Sequence, residues 1–323
     1  MISPSPSVAF QLKPGSVRTA AGLAISYVEC KGTTDGPTTL FIHGLDSSKQ
    51  TFKDIQQNNL STPSVAIDNR GCGKSDLGNP HLFSPDALVE DVKCLVKSNP
   101  LLHNPFVLVG HSMGGRIAMS YAAKYPKDIS TLVIEDMDMK RRCVIDNGKH
   151  NGMVKYEGCS FIENFDEERA IKFDRRQETL ESMKSELKRI GYPNETIEKW
   201  INEGRIYQEK DGSFYSDVNP AFRALCYRKI FDSDNGEESW NTIAKHIQNG
   251  ENKFNINLMV AGIGSVCGEE SINDMQRIIH NAEQGGEKSC LSVKTYPKGT
   301  HSIHNSSRDE FMTDLKAIID SAR

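Results

Sequence analysis

The strongest structural signal in this chain lies in Pro105-Phe-Val-Leu-Val-Gly110-His-Ser112-Met-Gly114-Gly-Arg-Ile-Ala-Met-Ser-Tyr-Ala-Ala123. An apolar run leads into the pattern Gly-x-Ser-x-Gly, and small and apolar residues at helical spacing follow. This order predicts a strand, a sharp turn and a helix, with Ser112 at the tip of the turn. Gly110 and Gly114 allow the strand and the helix to approach closely while the hydroxyl stands above the sheet. Ser112 is therefore a candidate nucleophile.

Three other segments fit the same arrangement. Thr39-Leu-Phe-Ile leads into His43-Gly44-Leu45, and Val65-Ala-Ile-Asp68 leads into a glycine-rich loop that ends at Ser75. Near the end of the chain, His301 follows Tyr296-Pro-Lys-Gly-Thr. Together with Ser112 in the observed order, these segments make a chance glycine-rich turn a poor explanation of the central motif.

Composition excludes several classes of function. With a net charge of −4, the 323-residue chain has no basic excess for nucleic acid, and we find no apolar run long enough to cross a bilayer. The amino terminus lacks the features of a secretory signal. The eight cysteines are scattered along the chain without a C-x-x-C pair. We therefore expect free thiols in a reducing compartment, most simply the cytoplasm, with organellar import left open. We expect neither a cofactor nor a metal.

The chain alternates short apolar strands with amphipathic helices up to about residue 137, the rhythm of a mostly parallel sheet flanked by helices. A charge-dense, largely helical stretch follows. One long helix is predicted over Glu163–Ile190, because acidic residues at its start and basic residues at its end suit the helix dipole, and a hairpin is predicted at Asp211-Gly212. The alternation then resumes. We therefore predict an α/β core from residues 1–138 and 253–323, with a mainly helical insertion at 139–252.

From about residue 23 onward the chain resembles the α/β-hydrolase fold, and more narrowly its YbfF-type esterases and their eukaryotic abhydrolase-domain relatives. The resemblance rests on Gly-His-Ser-Met-Gly-Gly, on the pattern D-G-x-F-x-x-x-x-N at Asp211–Asn219, and on an aspartate that closes the strand after the nucleophile helix. It implies that the insertion is a cap. It also implies a hydrolase of small acyl esters or thioesters that works through an acyl-serine intermediate, with no further partner indicated and an oligomeric state left open.

A serine hydroxyl is almost unreactive at neutral pH and needs a base. His301 is the candidate base, since it lies in a turn just after a strand and the fold places the nucleophile first and the base last. His304, three residues further on, is expected to lie at the rim of the site. His43 and His111 flank the motif loops and are expected to hold them by hydrogen bonds.

The acid that supports His301 is less obvious. In this fold it commonly follows the strand after the insertion, but there the chain has Ser265, which cannot supply a negative charge. The narrower family instead uses an aspartate at the position of Asp136, which shares one strand face with Leu132 and Ile134. Asp136 is the first choice, and a Ser–His dyad with no acid is the alternative. Four other carboxylates remain open as the acid: Glu135, Asp138, Glu269 and Glu270.

Attack on a carbonyl creates an oxyanion that must meet donors already in place. In this fold the donors are the backbone N–H groups of the residue after the nucleophile and of the His-Gly loop, which here are Met113 and Leu45.

Fold does not determine function, so two other activities remain open. The scaffold could serve a carbon–carbon bond hydrolase or lyase, or a ligand receptor without catalysis.

Overall fold

Thirteen strands occur in the computed structural model, which describes residues 10–141, 143–146, 149–153, 165–251, 254–283 and 289–322. In chain order they are β1 (Lys13–Arg18), β2 (Ala24–Cys30), β3 (Thr39–Ile42), β4 (Ser64–Ile67), β5 (Phe106–His111), β6 (Ile129–Glu135), β7 (Cys143–Asp146), β8 (Lys149–Met153), β9 (Arg176–Gln177), β10 (Ile206–Gln208), β11 (Phe214–Ser216), β12 (Asn255–Ala261) and β13 (Leu291–Tyr296).

The described residues also form ten α-helices. They are α1 (Pro85–Ser98), α2 (Met113–Lys124), α3 (Glu167–Ile171), α4 (Leu180–Ile190), α5 (Asn194–Asn202), α6 (Pro220–Cys226), α7 (Asn235–Gln248), α8 (Glu269–Ala282), α9 (Ile303–Ser306) and α10 (Arg308–Ser321). Within the part of the chain that the structure describes, no helix combines the length and the apolar character that a membrane crossing requires.

Eight of the strands form the central sheet, in the order β1-β2-β4-β3-β5-β6-β12-β13. The pairs from β4 to β13 are parallel, and only β1 and β2 run against their neighbours at one edge. The predicted α/β class with a mostly parallel sheet is thus confirmed. Strands β3 and β5 are buried along their whole length, as expected for parallel strands that are covered on both faces.

Successive residues of the central strands pack on opposite sides of the sheet. In β5, Leu108 belongs to the apolar cluster that includes α1 and α2, while Val107 and Val109 belong to the cluster that includes α10. Helix α1 begins at a local cap, in which the Ser84 hydroxyl accepts a hydrogen bond from the Ala87 N–H at 3.1 Å and Pro85 takes the first helical position. The sheet is therefore held between two layers of helices.

The turn between β5 and α2 is as tight as its glycines predict. A Cβ atom added at Gly110 would lie 2.3 Å from the carbonyl oxygen of Gly114. A Cβ atom added at Gly114 would lie 2.1 Å from the carbonyl oxygen of Ile42, at the end of β3. Both contacts involve backbone atoms, so larger residues cannot be accommodated by a side-chain rotation.

The chain between β6 and β12 builds some elements of its own, although its last helix, α7, packs on α2 and places Trp240 and Ile243 in the apolar cluster of the core. Strands β9, β10 and β11 form a three-stranded sheet, β7 pairs with β8, and none of these described strands joins the central sheet. The hairpin predicted at Asp211-Gly212 is confirmed, since β10 and β11 are antiparallel and Gly212 has φ +89°. Helices α4 and α5 contribute Leu187 and Trp200 to an apolar cluster that is distinct from those beside the central sheet.

The single helix predicted over Glu163–Ile190 is wrong. Its first two residues lie outside the described part of the chain, α3 ends at Ile171, and strand β9 intervenes before α4 begins. The Thr179 hydroxyl accepts from the Ser182 N–H at 3.1 Å, and the Ser182 hydroxyl lies 3.3 Å from the Thr179 N–H in a capping box. This local cap starts a new helix, which the charge pattern alone did not reveal.

His43 joins the loop after β3 to the loop after β4, as expected. The Asn69 N–H donates to His43 Nε2 at 3.1 Å, so Nδ1 carries the proton and donates to the Gly44 carbonyl at 2.8 Å. The Asn69 side-chain amide donates to the His43 carbonyl at 2.9 Å. Complete burial lowers the pKa of His43 to about 4, so the ring is neutral.

Replacing Gly110 with alanine should lower the free energy of unfolding by about 3 kcal/mol, because the added methyl group would overlap rigid backbone. Urea unfolding measures the change. Gly250→Asn is the control, since Gly250 is exposed, an added Cβ would meet nothing within 4 Å, and asparagine tolerates its φ of +70°. Equal stability of Gly110→Ala and the wild type would contradict the close strand–helix contact.

Lowering the pH from about 6.5 to about 4 should weaken the fold in part through His43. In this range the unfolded chain takes up a proton on His43, whereas the folded protein, with a His43 pKa of about 4, does not. The unfolded state therefore binds more protons, and the free energy of unfolding falls as the pH falls. Urea titrations at both pH values should show a smaller decline for His43→Gln than for the wild type, and equal declines would refute this assignment.

Candidate active site

Ser112 occupies the tip of the turn between β5 and α2. Its backbone has φ 53° and ψ −122°, a conformation that residues other than glycine rarely adopt. The turn is held by hydrogen bonds from the Ser112 N–H to the Glu135 carbonyl at 2.9 Å and from the Gly115 N–H to the Ser112 carbonyl at 2.7 Å. The surrounding backbone thus maintains a strained residue, as is common at functional sites.

His301 lies between Ser112 and Asp136. Its Nε2 atom is 2.9 Å from the Ser112 hydroxyl oxygen, and its Nδ1 atom is 2.7 Å from Asp136 Oδ2. An ionised carboxylate can only accept, so Nδ1 carries the proton and Nε2 is left to accept the proton of the serine hydroxyl. The structure therefore brings together the three residues that the sequence predicted as nucleophile, base and acid.

The carboxylate of Asp136 is buried and fully engaged. Oδ1 accepts from the Ala261 N–H at 3.0 Å and from the Ser265 hydroxyl at 2.6 Å, and Oδ2 also accepts from the Val266 N–H at 3.1 Å. Burial alone would raise the pKa of Asp136, but the hydrogen bond and charge of His301 and the donors around it lower the pKa below its usual value. Asp136 is thus held as an anion beside His301.

Ser265 has a role that the sequence reasoning missed. It stands where this fold commonly has the acid, and its hydroxyl donates to the acid at the other position instead. The signal was present in the sequence, since a serine replaces a carboxylate at a strand end next to the site. Recognising it required knowing that β6 and β12 are neighbours in the sheet.

Glu135 contacts a different histidine. Its Oε1 atom accepts from the His304 N–H at 2.9 Å and from His304 Nδ1 at 2.8 Å. The expectation that His304 lies at the rim is wrong, because its side chain is 1% exposed and its Nε2 lies 2.8 Å from the Thr51 hydroxyl. Strand β6 ends at Glu135, and Asp136 follows it with φ +47°, so Asp136 does not continue the strand face of Leu132 and Ile134 as predicted. This change of backbone direction lets the two neighbouring carboxylates diverge, one to His301 and the other to His304 in α9.

The other carboxylates left open by the sequence lie elsewhere. Asp138 is 3.6 Å from the guanidinium of Arg116 and accepts from the Lys140 N–H at 3.1 Å. Glu269 and Glu270 are exposed in the first turn of α8. The position of Asp136 against His301 thus distinguishes it from all four alternatives.

His111 holds the backbone at His301 by a hydrogen bond. Its Nε2 donates to the His301 carbonyl at 2.9 Å, and its ring lies 4.9 Å from that of His301 and 5.0 Å from that of His304. Burial lowers the pKa of His111 to about 3. Among the described residues, His111, Glu135 and His304 form a group with metal-ligand atoms within 4.8 Å of one another, but the Glu135–His304 hydrogen bonds already account for two of them.

Met113 and Leu45, the residues predicted to supply the oxyanion donors, both lie near Ser112. Met113 is the first residue of α2, so the helix itself does not use its N–H. The loop that contains Leu45 packs directly on the nucleophile turn, since a Cβ atom added at Gly44 would lie 2.9 Å from Ser112 Cβ. Leu45 and Ser112 line the same cavity.

That cavity has a volume of about 650 Å³. Its apolar wall includes Leu45, Met137, Phe231 and Val266, beside Ser112 and His301. Polar and charged residues line the remainder, among them Asp46 from the loop after β3 and Arg205 and Arg223 from the chain between β6 and β12. A few polar groups in a partly apolar cavity are typical of sites that bind small molecules.

Comparison with known proteins agrees with this architecture. The family model described as alpha/beta hydrolase fold matches residues 37–149. The sn-1-specific diacylglycerol lipase ABHD11 of Danio rerio is 34% identical over 128 residues, which are 38% of this chain and 38% of the relative. Lipase 3 of Moraxella sp. (strain TA144) is 33% identical over 125 residues, or 39% of each chain. The matched part of this chain thus spans well under half of the length of each of these relatives.

A likeness among solved structures extends over nearly the whole chain. The thioesterase domain from the curacin biosynthetic pathway has a TM-score of 0.64 and 14% sequence identity, and the match covers 95% of this chain and 99% of that domain. At this identity the likeness concerns the fold alone. The central sheet, the tight turn at Ser112 and these matches lead to one conclusion: the chain has the α/β-hydrolase fold, and lipases of that fold are among its relatives.

Proposed function

We propose that this protein is a serine hydrolase that cleaves carboxylic ester or acyl thioester bonds through an acyl-serine intermediate. The hydrogen-bonded series from the Ser112 hydroxyl through His301 to Asp136 carries the proposal. Each atom has the partner that its role requires, since Nε2 faces the hydroxyl and the anion faces Nδ1.

The first half of the reaction forms the acyl-enzyme. Ser112 Oγ attacks the substrate carbonyl while His301 Nε2 takes the hydroxyl proton, and the resulting imidazolium is stabilised by the Asp136 carboxylate. The oxyanion that forms on the former carbonyl oxygen accepts from the Met113 and Leu45 N–H groups. The intermediate then expels the alcohol or thiol, which receives the proton from His301.

The second half regenerates the serine. A water molecule gives its proton to His301 and attacks the acyl carbon, and the same two N–H groups stabilise the second oxyanion. Collapse releases the carboxylic acid and returns the proton from His301 to Ser112. The three side chains finish in their starting states, so the cycle needs no further reactant.

The chain at 139–252 acts in this proposal as a cap that shapes the substrate site. Support comes from Arg205, Arg223 and Phe231, which this segment contributes to the wall of the cavity. The substrates are small acyl esters or thioesters, in keeping with the lipases among the relatives. The apolar part of the wall suits an acyl group, because burial of its methylene groups is favourable.

Covalent labelling tests the nucleophile. A fluorophosphonate probe should label the wild type but not Ser112→Ala, because the alcohol that forms the bond to phosphorus is gone. Ser120→Ala is the matched control, since Ser120 lies in the helix that follows and is 8% exposed, close to the 7% of Ser112. Intact-mass measurement detects one added probe. Labelling of Ser112→Ala, or a wild type that resists the probe, would exclude the proposal.

Activity of an Asp136→Asn variant tests the acid. The amide retains the size of the side chain but no longer stabilises the imidazolium, so kcat for an aryl ester should fall about 10³-fold to 10⁴-fold. The amide nitrogen also faces a backbone N–H donor, so the unfolding midpoint should fall, and kcat is measured well below that midpoint. Glu269→Gln removes an exposed acid of α8 and should leave kcat unchanged. If Asp136→Asn retained full turnover, the acid would have to be sought elsewhere.

A further inference from the structure

Asp46 lies directly after Leu45, the residue whose N–H is a proposed oxyanion donor. Its backbone has φ +47°, in the left-handed region that residues other than glycine seldom occupy. Such a conformation persists only where neighbouring groups hold it. The oxyanion loop, which we define as His43–Asp46, therefore depends on what holds Asp46.

Three residues from the chain between β6 and β12 converge on Asp46. Arg223, in α6, donates from Nε to Asp46 Oδ2 at 2.9 Å and from Nη2 to the same oxygen. The Tyr192 hydroxyl donates to Oδ1 at 3.0 Å. Arg205 donates from Nη2 to the Asp46 backbone carbonyl. Residues of the proposed cap thus bind both the side chain and the backbone of Asp46.

These contacts are largely shielded from water. The side chains of Arg223 and Asp46 are 5% and 12% exposed, and Tyr192 is 3% exposed. A buried ion pair is costly to break, because each partner left alone is an uncompensated charge in a medium of low polarity. Asp46 is consequently tied to the cap far more firmly than an exposed ion pair would tie it.

Other polar links between the two parts of the chain lie away from the oxyanion loop, for example between Ser120 in α2 and Ser239 in α7 at 3.0 Å. Lys74 pairs with Glu209 at 3.0 Å, with side chains 49% and 28% exposed, and Arg175 Nη1 donates to the Gly71 carbonyl at 2.7 Å. The last two links reach the glycine-rich loop after β4. The contacts at Asp46 differ because they act one residue away from the proposed oxyanion donor.

From this we infer that Asp46 and Arg223 are positioning residues for the oxyanion hole: their buried ion pair holds the oxyanion loop so that the Leu45 N–H faces the reacting carbonyl. This inference rests on the proposed function. Docking of the cap and assembly of the oxyanion hole are thereby coupled, because the pair joins the cap to the oxyanion loop. A cap that moves away releases Asp46, and the strained loop then relaxes.

Steady-state kinetics of Asp46→Asn and Arg223→Lys test this inference. Each variant keeps a side chain of similar size but loses the charge or the two-nitrogen contact, so kcat should fall about 10-fold to 100-fold, while KM changes less than about threefold. Glu209→Gln is the matched control, because it breaks a link between core and cap that does not touch Asp46. Its kcat should equal that of the wild type.

A trifluoromethyl ketone separates positioning from a general loss of structure. Ser112 adds to its carbonyl carbon and the Ser112 proton passes to His301, which leaves an oxyanion in the proposed hole. In Asp46→Asn and Arg223→Lys, the affinity of the enzyme for this ketone should fall by the same factor as kcat. Binding of the intact ester to Ser112→Ala, which forms no oxyanion, should weaken by less than about threefold when Arg223→Lys is added, in line with the small change in KM.

The outcomes distinguish this inference from the proposed function. If the wild type neither turns over esters nor reacts with fluorophosphonate, the proposed function itself fails. If the wild type does both and the Asp46 and Arg223 variants behave like Glu209→Gln, the inference alone is overturned. Tyr192→Phe removes a single hydroxyl and serves where another variant does not fold. It should lower both kcat and the affinity for the ketone. Wild-type values of both would count against the inference.

Discussion

The close contact between β5 and α2 at Gly110 and Gly114 is the constraint on which the site depends. It leaves no space for a side chain, and it forces Ser112 into a backbone conformation with positive φ. The same contact presses α2 against the end of β3, because Gly114 lies against the Ile42 carbonyl. The loops that follow β3 and β5 therefore meet at one edge of the sheet, where parallel α/β sheets bind their ligands.

A second level of order comes from the end of β6. Glu135 and Asp136 are adjacent in the chain but reach His304 and His301 respectively, so a single strand end secures both the turn after β13 and helix α9. Burial would favour the neutral form of both acids, yet the histidines and the backbone donors lower the pKa of each. The His301 ring is held both through its Nδ1 atom and through the backbone of its own loop.

Much of the architecture could be predicted because it depends on local pattern. The strand, turn and helix around Ser112 follow from apolar runs and two glycines, and α1 begins where Ser84 and Pro85 indicate. The insertion was harder to predict. There the acidic and basic ends of a supposed long helix masked an internal capping box at Thr179, which shows that charge distribution is a weaker guide to helix boundaries than side-chain caps.

By itself the sequence determined the α/β class, the place of the tight turn, and the short set of side chains from which a nucleophile, a base and an acid could come. Only the tertiary structure decided how that set is paired. It placed Asp136 rather than Glu135 against His301, buried His304, and brought Ser265 to the Asp136 carboxylate. It also joined Asp46 to Arg223. The physical reason is that such hydrogen bonds link segments far apart in the chain. Their geometry depends on which strands are neighbours in the sheet and on how the chain between β6 and β12 packs on the core, and local periodicity encodes neither.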